Sequence, residues 1–222
     1  MLMLSVIIPT FNERKNLSEL ARKIDQSLSK IDYELIIVDD NSPDGTGELA
    51  EELSKIYPIK VIHRKERGLA SAVVTGFKNA KSETLLVMDA DLSHPPEKIP
   101  DFLKKIDNTD ILIGTRYKDF LSLKRKIISK SAKFLIMIFF PSIKNLKDPQ
   151  SGFFMLKKKV IKGIKLKPIG FKILLEVLLK GNYKNVVEIP FVFRERKKGG
   201  SKLNIKEIFN FLRHVLSLRL SI

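Results

Sequence analysis

From residue 4 onward, short apolar runs alternate with longer stretches in which every third or fourth position is apolar. Residues 4–9, 33–38, 59–63, 84–88 and 110–114 read as strands, and their near-continuous Leu, Ile and Val content is that of strands covered on both faces. Between them, residues 16–28 set Leu17, Leu20, Ala21, Ile24 and Leu28 on one helical face, and residues 46–56 and 69–80 also read as helices. The links are short, and Asn41-Ser42-Pro43-Asp44-Gly45 is a turn sequence leading into the second helix. This rhythm predicts a mostly parallel, doubly wound α/β sheet. Further on, residues 124–140 and 171–179 predict helices, 186–193 a strand, and 205–220 a terminal amphipathic helix.

Two of the predicted strands end in acids. Leu85-Leu86-Val87-Met88 stops at Asp89-Ala90-Asp91, followed by Leu92-Ser93-His94-Pro95-Pro96, and the paired proline cannot continue a ladder. The second predicted strand ends in Asp39-Asp40. The carboxyl edge of a parallel sheet is where ligands bind, and two aspartates spaced i, i+2 suit a hard divalent cation that takes further oxygens from water or a diphosphate. Taken alone, an Asp-x-Asp at a strand end is more often a turn or a helix cap. The same alternative holds for Asp39-Asp40-Asn41, while His94, between Ser93 and Pro95, reads as a loop residue in preference to a base.

Charge changes the picture of the second half. The chain has 222 residues and a formal charge of +16. Residues 1–117 carry 16 basic and 19 acidic side chains, net −3, whereas residues 118–222 carry 25 and 6, net +19. Such asymmetry calls for an anionic partner: nucleic acid, an anionic membrane surface or a phosphorylated substrate. Single-strand readers interleave bases with stacking aromatics, but here the lysines alternate mainly with Ile, Leu and Phe, which favours a membrane surface over nucleic acid. The absence of cysteine excludes disulfides, thiolate metal sites and thiol nucleophiles. Residues 1–10 lack a basic leader and read as a first strand, not a signal peptide. No apolar stretch reaches the roughly 18 to 20 residues of a spanning helix. Lys130 and Lys133 beside the run from Phe134 to Phe140 suggest an interfacial helix over residues 129–140, with an ordinary core helix as the alternative.

The motifs Val6-Ile7-Ile8-Pro9-Thr10-Phe11-Asn12-Glu13, Val38-Asp39-Asp40-Asn41-Ser42-Pro43-Asp44-Gly45-Thr46 and Met88-Asp89-Ala90-Asp91-Leu92-Ser93-His94-Pro95-Pro96 occur in that order, followed by Gly114-Thr115-Arg116-Tyr117, Lys124-Arg125-Lys126-Ile127-Ile128-Ser129 and Arg196-Lys197-Lys198-Gly199-Gly200-Ser201-Lys202-Leu203. Together they resemble family 2 glycosyltransferases of GT-A fold, and within them the dolichol-phosphate mannose synthases, over nearly the whole chain. Phe11 stands where many relatives have Tyr, Ala70 where Gly is usual, and Ser93 where some have Gln as a metal ligand and others Ser.

The resemblance implies a GT-A nucleotide-sugar transferase fold with basic amphipathic interfacial helices in the C-terminal half: a catalytic domain over residues 1–203, divided into a nucleotide-sugar and metal half (1–117) and an acceptor and membrane-facing half (118–203), then a C-terminal amphipathic helix (204–222). It implies that Pro9, Phe11, Glu13, Val38 and Asp40 surround base and ribose, and that Asp89, Ala90 and Asp91 meet the diphosphate. Asp89, Asp91 and Ser93 are the implied ligands of Mg²⁺ or Mn²⁺. Arg116, Arg125, Ser129, Arg196 and Lys202 are the implied phosphate-gripping set, guanidinium being permanently charged and bidentate. Asp148 and Glu176 are candidates for the sugar pocket, with a cap or an ion pair as the alternative, and Lys157-Lys158-Lys159 reads as a solvated basic run. The implied reaction is inverting transfer of mannose from GDP-mannose to dolichyl or another polyprenyl phosphate by a peripheral protein on the cytoplasmic face of a membrane. UDP-glucose as donor, and a non-catalytic basic membrane-binding module, are the competing readings. A membrane-anchoring segment or partner subunit beyond Ile222 is compatible with the apolar turns that end the last helix.

Overall fold

The computed structural model describes residues 4–118, 123–170, 172–193 and 205–220, with the backbone alone for 118, 123–130 and 205–209. One seven-stranded sheet runs through it: β1 (Leu4–Thr10), β2 (Tyr33–Asp39), β3 (Ile59–His63), β4 (Thr84–Val87), β5 (Ile111–Lys118), β6 (Phe154–Lys157) and β7 (Val186–Val192), in the order β3-β2-β1-β4-β6-β5-β7. All neighbours are parallel except β6, which runs antiparallel to both β4 and β5.

Helices cover both faces. Ile7 on β1 points into a core shared with α3 (Leu69–Asn79), α5 (Leu123–Phe139), α6 (Ile173–Lys180) and α7 (Ile205–Arg219), whereas Val6 and Ile8 point into a second core with α1 (Arg14–Ser27), α2 (Thr46–Leu53) and α4 (Ile99–Ile106). Successive side chains of a strand alternate between faces. With both faces buried, every position of β1 is apolar or hydrogen-bonded inside the protein, which is why the strands read as unbroken apolar runs. Gly76 of α3 has no room for a methyl group against Ile7, and this close approach lays the helix directly on β1.

Two elements escaped the hydrophobic pattern. Helix α4 lies among Pro95, Pro96 and Pro100, but a proline in the first turn forfeits no helical hydrogen bond, and Ile99, Phe102, Leu103 and Ile106 bury one face at helical spacing. Strand β6 is four residues long, too short to show a period. Its antiparallel insertion between β4 and β5 matters for function, because it brings residues 148–153 to the edge where the parallel strands end. Among the described residues, no helix is long and apolar enough to cross a membrane.

Candidate active site

The chain leaves β1 toward β2 on one side and β4 on the other, so the carboxyl ends of β1 and β4 flank the topological switch point where open α/β sheets form their crevice. The acidic motifs meet there. Asp39, 2% exposed, is a scaffold: its Oδ1 accepts the hydroxyls of Thr10 at 2.9 Å and Ser42 at 2.6 Å, and its Oδ2 accepts the Ser42 N–H. Asp40, the next residue, is buried just beyond the end of β2. Its Oδ2 accepts the Gly68 N–H at 2.7 Å, and Arg64 Nε lies 3.2 Å from Oδ1 without hydrogen-bond alignment, leaving that buried oxygen without a hydrogen-bond partner. Burial pushes the Asp40 carboxyl above its ordinary pKa, against the pull of Gly68 and Arg64. Arg67 lays its guanidinium 4.3 Å over the Phe11 ring, so the aromatic at the end of β1 already carries a planar, stacked partner. Glu13 is buried at the entrance of α1 and accepts a hydrogen bond from Asn16. Pro9 is buried in β1, and Val38 lies wholly in the core at the end of β2, its carbonyl accepting from Thr10.

Non-glycine residues with positive φ mark all three turns at this edge: Asn12 (58°), Asn41 (54°) and Leu92 (63°). Leu92 is the least expected, a γ-branched residue held left-handed by burial of its side chain, at a strain of about 1–3 kcal/mol. That turn presents Asp89 one-third exposed while folding Asp91 inward at 3% exposure, where its Oδ1 accepts the Ser93 N–H at 3.0 Å. Ala90 is buried between them. His94 turns back on the motif: its Nδ1 accepts the Asp89 N–H at 3.0 Å, and its Nε2 lies 3.8 Å from Asp89 Oδ2. The donor set fits a hard cation. Two carboxylates stand one residue apart, and the Ser93 hydroxyl oxygen is buried with no hydrogen-bond partner. Among the described residues no cluster of three His, Cys, Asp or Glu side chains could hold a metal, so an ion here would need oxygens from a ligand as well.

Beside these carboxylates opens a cavity of about 290 Å³ lined by Arg116, Lys133, Lys147, Asp148, Gln150 and Lys172 among others. Arg116 leaves the end of β5 at a bulge and pairs with Asp148, Nε to Oδ2 at 3.0 Å, while stacking toward Phe193. Lys172 donates from Nζ to the Gln150 carbonyl at 3.0 Å. Burial pulls its ammonium down to about 8, opposed by Asp148, assisted by Arg116, and opposed again by Asp89. The structure thus brings together Pro9, Phe11, Glu13, Asp40, Asp89, Ala90, Asp91, Ser93 and Arg116. Arg125 and Ser129 lie four apart on the α5 backbone, hence on one face, but their side chains lie outside the description. Arg196 and Lys202 lie outside the described residues.

Other candidates settle elsewhere. Glu176 is fully buried in α6, accepting from Lys180 Nζ at 2.6 Å and Lys167 N at 2.8 Å with His214 of α7 at 3.7 Å, so of its two readings the ion pair holds. Burial opposes its ionisation, yet these partners outweigh burial and lower its pKa. Asp148 lines the cavity and is also an ion-pair partner. The run 157–159 is more than a solvated patch: Lys157 and Lys158 donate to the carbonyls of Asp107 and Ala80, and Lys159 pairs with Asp110. Sequence reasoning passed over Arg64, Arg67, Lys147 and Lys172, read Lys133 only as a basic flank of the apolar run, and left His94 in a loop without a task. On α5, Phe134, Met137 and Ile138 are exposed while Ile136, and Phe140 just past the helix, are buried. On the neighbouring α7, Leu212 and Leu216, with Leu220 just past its end, are exposed while Phe211, Val215 and Leu218 are buried.

A parallel sheet with one antiparallel insertion, acids at the switch point and a basic cavity alongside define the GT-A architecture of glycosyltransferases. Solved structures of glucosyl-3-phosphoglycerate synthase from Mycobacterium tuberculosis share it: one in complex with Mn²⁺, uridine diphosphate and glucosyl-3-phosphoglycerate has a TM-score of 0.77 at 15% identity, over 99% of this chain and 79% of that one. Residues 5–164 match the model of Glycosyl transferase family 2, and the chain belongs to that family. It is similar to curated proteins named dolichol-phosphate mannosyltransferase, at 53% identity in Pyrococcus furiosus, 38% in Mycosarcoma maydis and 37% in Saccharomyces cerevisiae, each over 96% of this chain. The chain spans 63% of the length of the Pyrococcus protein, 78% of the Mycosarcoma protein and 86% of the Saccharomyces protein.

Proposed function

We propose that the protein transfers mannose, with inversion, from GDP-mannose to dolichyl or another polyprenyl phosphate at the cytoplasmic face of a membrane. The observation that carries this is the juxtaposition of Asp89 and Asp91 with a basic cavity walled by Arg116, Lys133, Lys147 and Lys172. Such an arrangement suits two anions side by side, a nucleotide diphosphate and a phosphate monoester. The names of the relatives at 37–53% identity support mannose as the sugar and dolichol phosphate as the acceptor.

In this reading the base lies against Phe11 with its N–H edge toward Asp40 Oδ1, which pairs with Arg64 but accepts no hydrogen bond, and the diphosphate crosses the ends of β1 and β4. Asp89 and Asp91, with the Ser93 hydroxyl, would hold Mg²⁺ or Mn²⁺, which when bound offsets charge on the departing diphosphate. The acceptor phosphate has its second pKa near about 6 and is mostly dianionic at neutral pH, so it attacks without a general base. His94 is unsuited to that task in any case, since its Nδ1 already accepts the Asp89 N–H. What the chain must supply is cations that hold a dianion against a second anion, and Arg116 and Lys172, with Arg125, Ser129, Arg196 and Lys202, are assigned to this. Attack from the face opposite the diphosphate turns an α-linked donor into a β-linked lipid. The exposed apolar residues of α5 and α7, set in a half carrying +19, support peripheral attachment to an anionic surface, with one face of each helix at the acyl boundary.

The test is incubation with Mg²⁺ or Mn²⁺, a short polyprenyl phosphate, and labelled GDP-mannose or UDP-glucose. Label in the lipid from GDP-mannose supports the proposal. Label from UDP-glucose alone reassigns the sugar, and none from either leaves a non-catalytic membrane-binding module.

A further inference from the structure

We propose that His94 is a positioning residue for the Asp89 carboxylate, acting through both ring nitrogens. The inference rests on the metal reading of Asp89 and Asp91 and adds to it the side chain that holds Asp89 in register. The imidazole is 4% exposed, stacked on Phe153 at 5.2 Å with an interplanar angle of 13°, and met edge-on by Phe191 and Phe193. This aromatic box fixes the ring plane and excludes water from it.

The backbone then fixes the tautomer. Because the Asp89 N–H donates to Nδ1 at 3.0 Å, Nδ1 bears the lone pair and the proton sits on Nε2. That N–H faces Asp89 Oδ2 at 3.8 Å, beyond hydrogen-bond length and within reach of a small rotation of the carboxylate. One ring therefore holds the main chain of Asp89 and faces its side chain with a donor. Gly152, entering β6, closes the arrangement: a Cβ there would lie 3.2 Å from His94 Cε1 and 3.3 Å from both Asp89 oxygens, so the chain passes close over the pair. Oriented carboxylates bind metal better than free ones, and loss of an outer partner weakens affinity by roughly 10- to 100-fold.

Three substitutions separate this from packing. His94→Phe keeps a ring in the box and removes both polar contacts. His94→Asn keeps an acceptor near Nδ1, and His94→Gln sets an amide N–H near Nε2. Mn²⁺ affinity is read by electron paramagnetic resonance with GDP present, and GDP affinity without metal and thermal unfolding are read alongside. We expect His94→Phe to weaken Mn²⁺ by about 10- to 100-fold, His94→Asn and His94→Gln each to recover part of the loss, and metal-free GDP binding to stay unchanged in all three. Wild-type Mn²⁺ affinity in His94→Phe overturns the proposal. So do equal losses in all three variants that track their melting temperatures, which would make His94 a packing residue. If His94→Phe does not fold, recovery or loss in the Asn and Gln variants decides on its own. A wild-type protein that binds GDP but no Mn²⁺ overturns the metal reading itself, and this inference with it.

Discussion

Lys172→Met should inactivate the acceptor site and yet leave the fold as stable as before, or more so. The ammonium is carried into the wall of the cavity, where burial draws its pKa from 10.5 to about 8. That displacement corresponds to about 3 kcal/mol of penalty on the charged form at pH 7; because the side chain keeps part of its exposure, about 1–2 kcal/mol is the figure to use. Methionine is close in length and carries no charge to desolvate. The variant loses the hydrogen bond from Nζ to the Gln150 carbonyl, worth about 1 kcal/mol, so the net change at pH 7 is expected between zero and about 1 kcal/mol of stabilisation. The pH dependence fixes the sign. A lysine whose folded pKa is lowered binds fewer protons folded than unfolded between about 8 and 10.5, so wild-type stability rises across that window relative to the variant, and the penalty is fully present below it. Urea unfolding of both proteins at pH 7 and pH 9.5 is the assay, and the wild type should gain about 1 kcal/mol on the variant between the two. A variant several kcal/mol weaker at pH 7, or a difference that does not move with pH, would refute the argument that burial dominates at this lysine.

Asp91→Asn should abolish transfer while preserving the melting temperature, since the amide keeps the shape and loses the charge; undiminished wild-type turnover in excess EDTA would count against the metal. Arg125→Ala should raise the acceptor KM or lower kcat by 10- to 100-fold, on the scale of about 1.5–3 kcal/mol for a hydrogen bond to a charged group, and an equal loss of GDP affinity would move that arginine to the donor. Replacing Phe134 and Ile138 together by Asp should release the protein from anionic vesicles without lowering its Tm, because both side chains are exposed. By contrast, Ile136→Asp, at a position with no exposure, should destabilise by several kcal/mol. Vesicle co-sedimentation and melting curves on the same samples separate the two, and retained vesicle binding by the double variant would reject α5 as an interfacial helix.

The parallel layers were legible because their strands are covered twice, which leaves no polar position to break the run. Strand β6 was not, since four residues show no period and nothing local says that Phe154 to Lys157 should pair against the grain of the sheet. Helix α4 was available in principle: Ile99, Phe102, Leu103 and Ile106 keep helical spacing, but Pro95, Pro96 and Pro100 read as breakers when two of them only open the turn. The same division runs through the site. Asp39 as a turn scaffold follows from one short motif, whereas Lys172 meets Arg116 and Asp148 through the strand insertion, which no local pattern announces. His94 carried a signal that the neighbouring prolines obscured, for a histidine five residues beyond an acid at a strand end can fold back on it. The apolar run on α5 likewise needed the fold to be divided, with Ile136 and Phe140 turned into the core and Phe134, Met137 and Ile138 turned outward. Phe140 is 4% exposed and Phe139 packs on the same core, so the end of the run follows the core alternative.

The central claim is a single displacement by a lipid phosphate gripped in the basic cavity beside Asp89 and Asp91. It is tested most directly by the anomeric configuration of the lipid product made from α-linked GDP-mannose, read from the one-bond carbon–hydrogen coupling at C1. The account predicts β-mannosyl phosphate alone; an α-linked product, or free mannose with no lipid product, would contradict it.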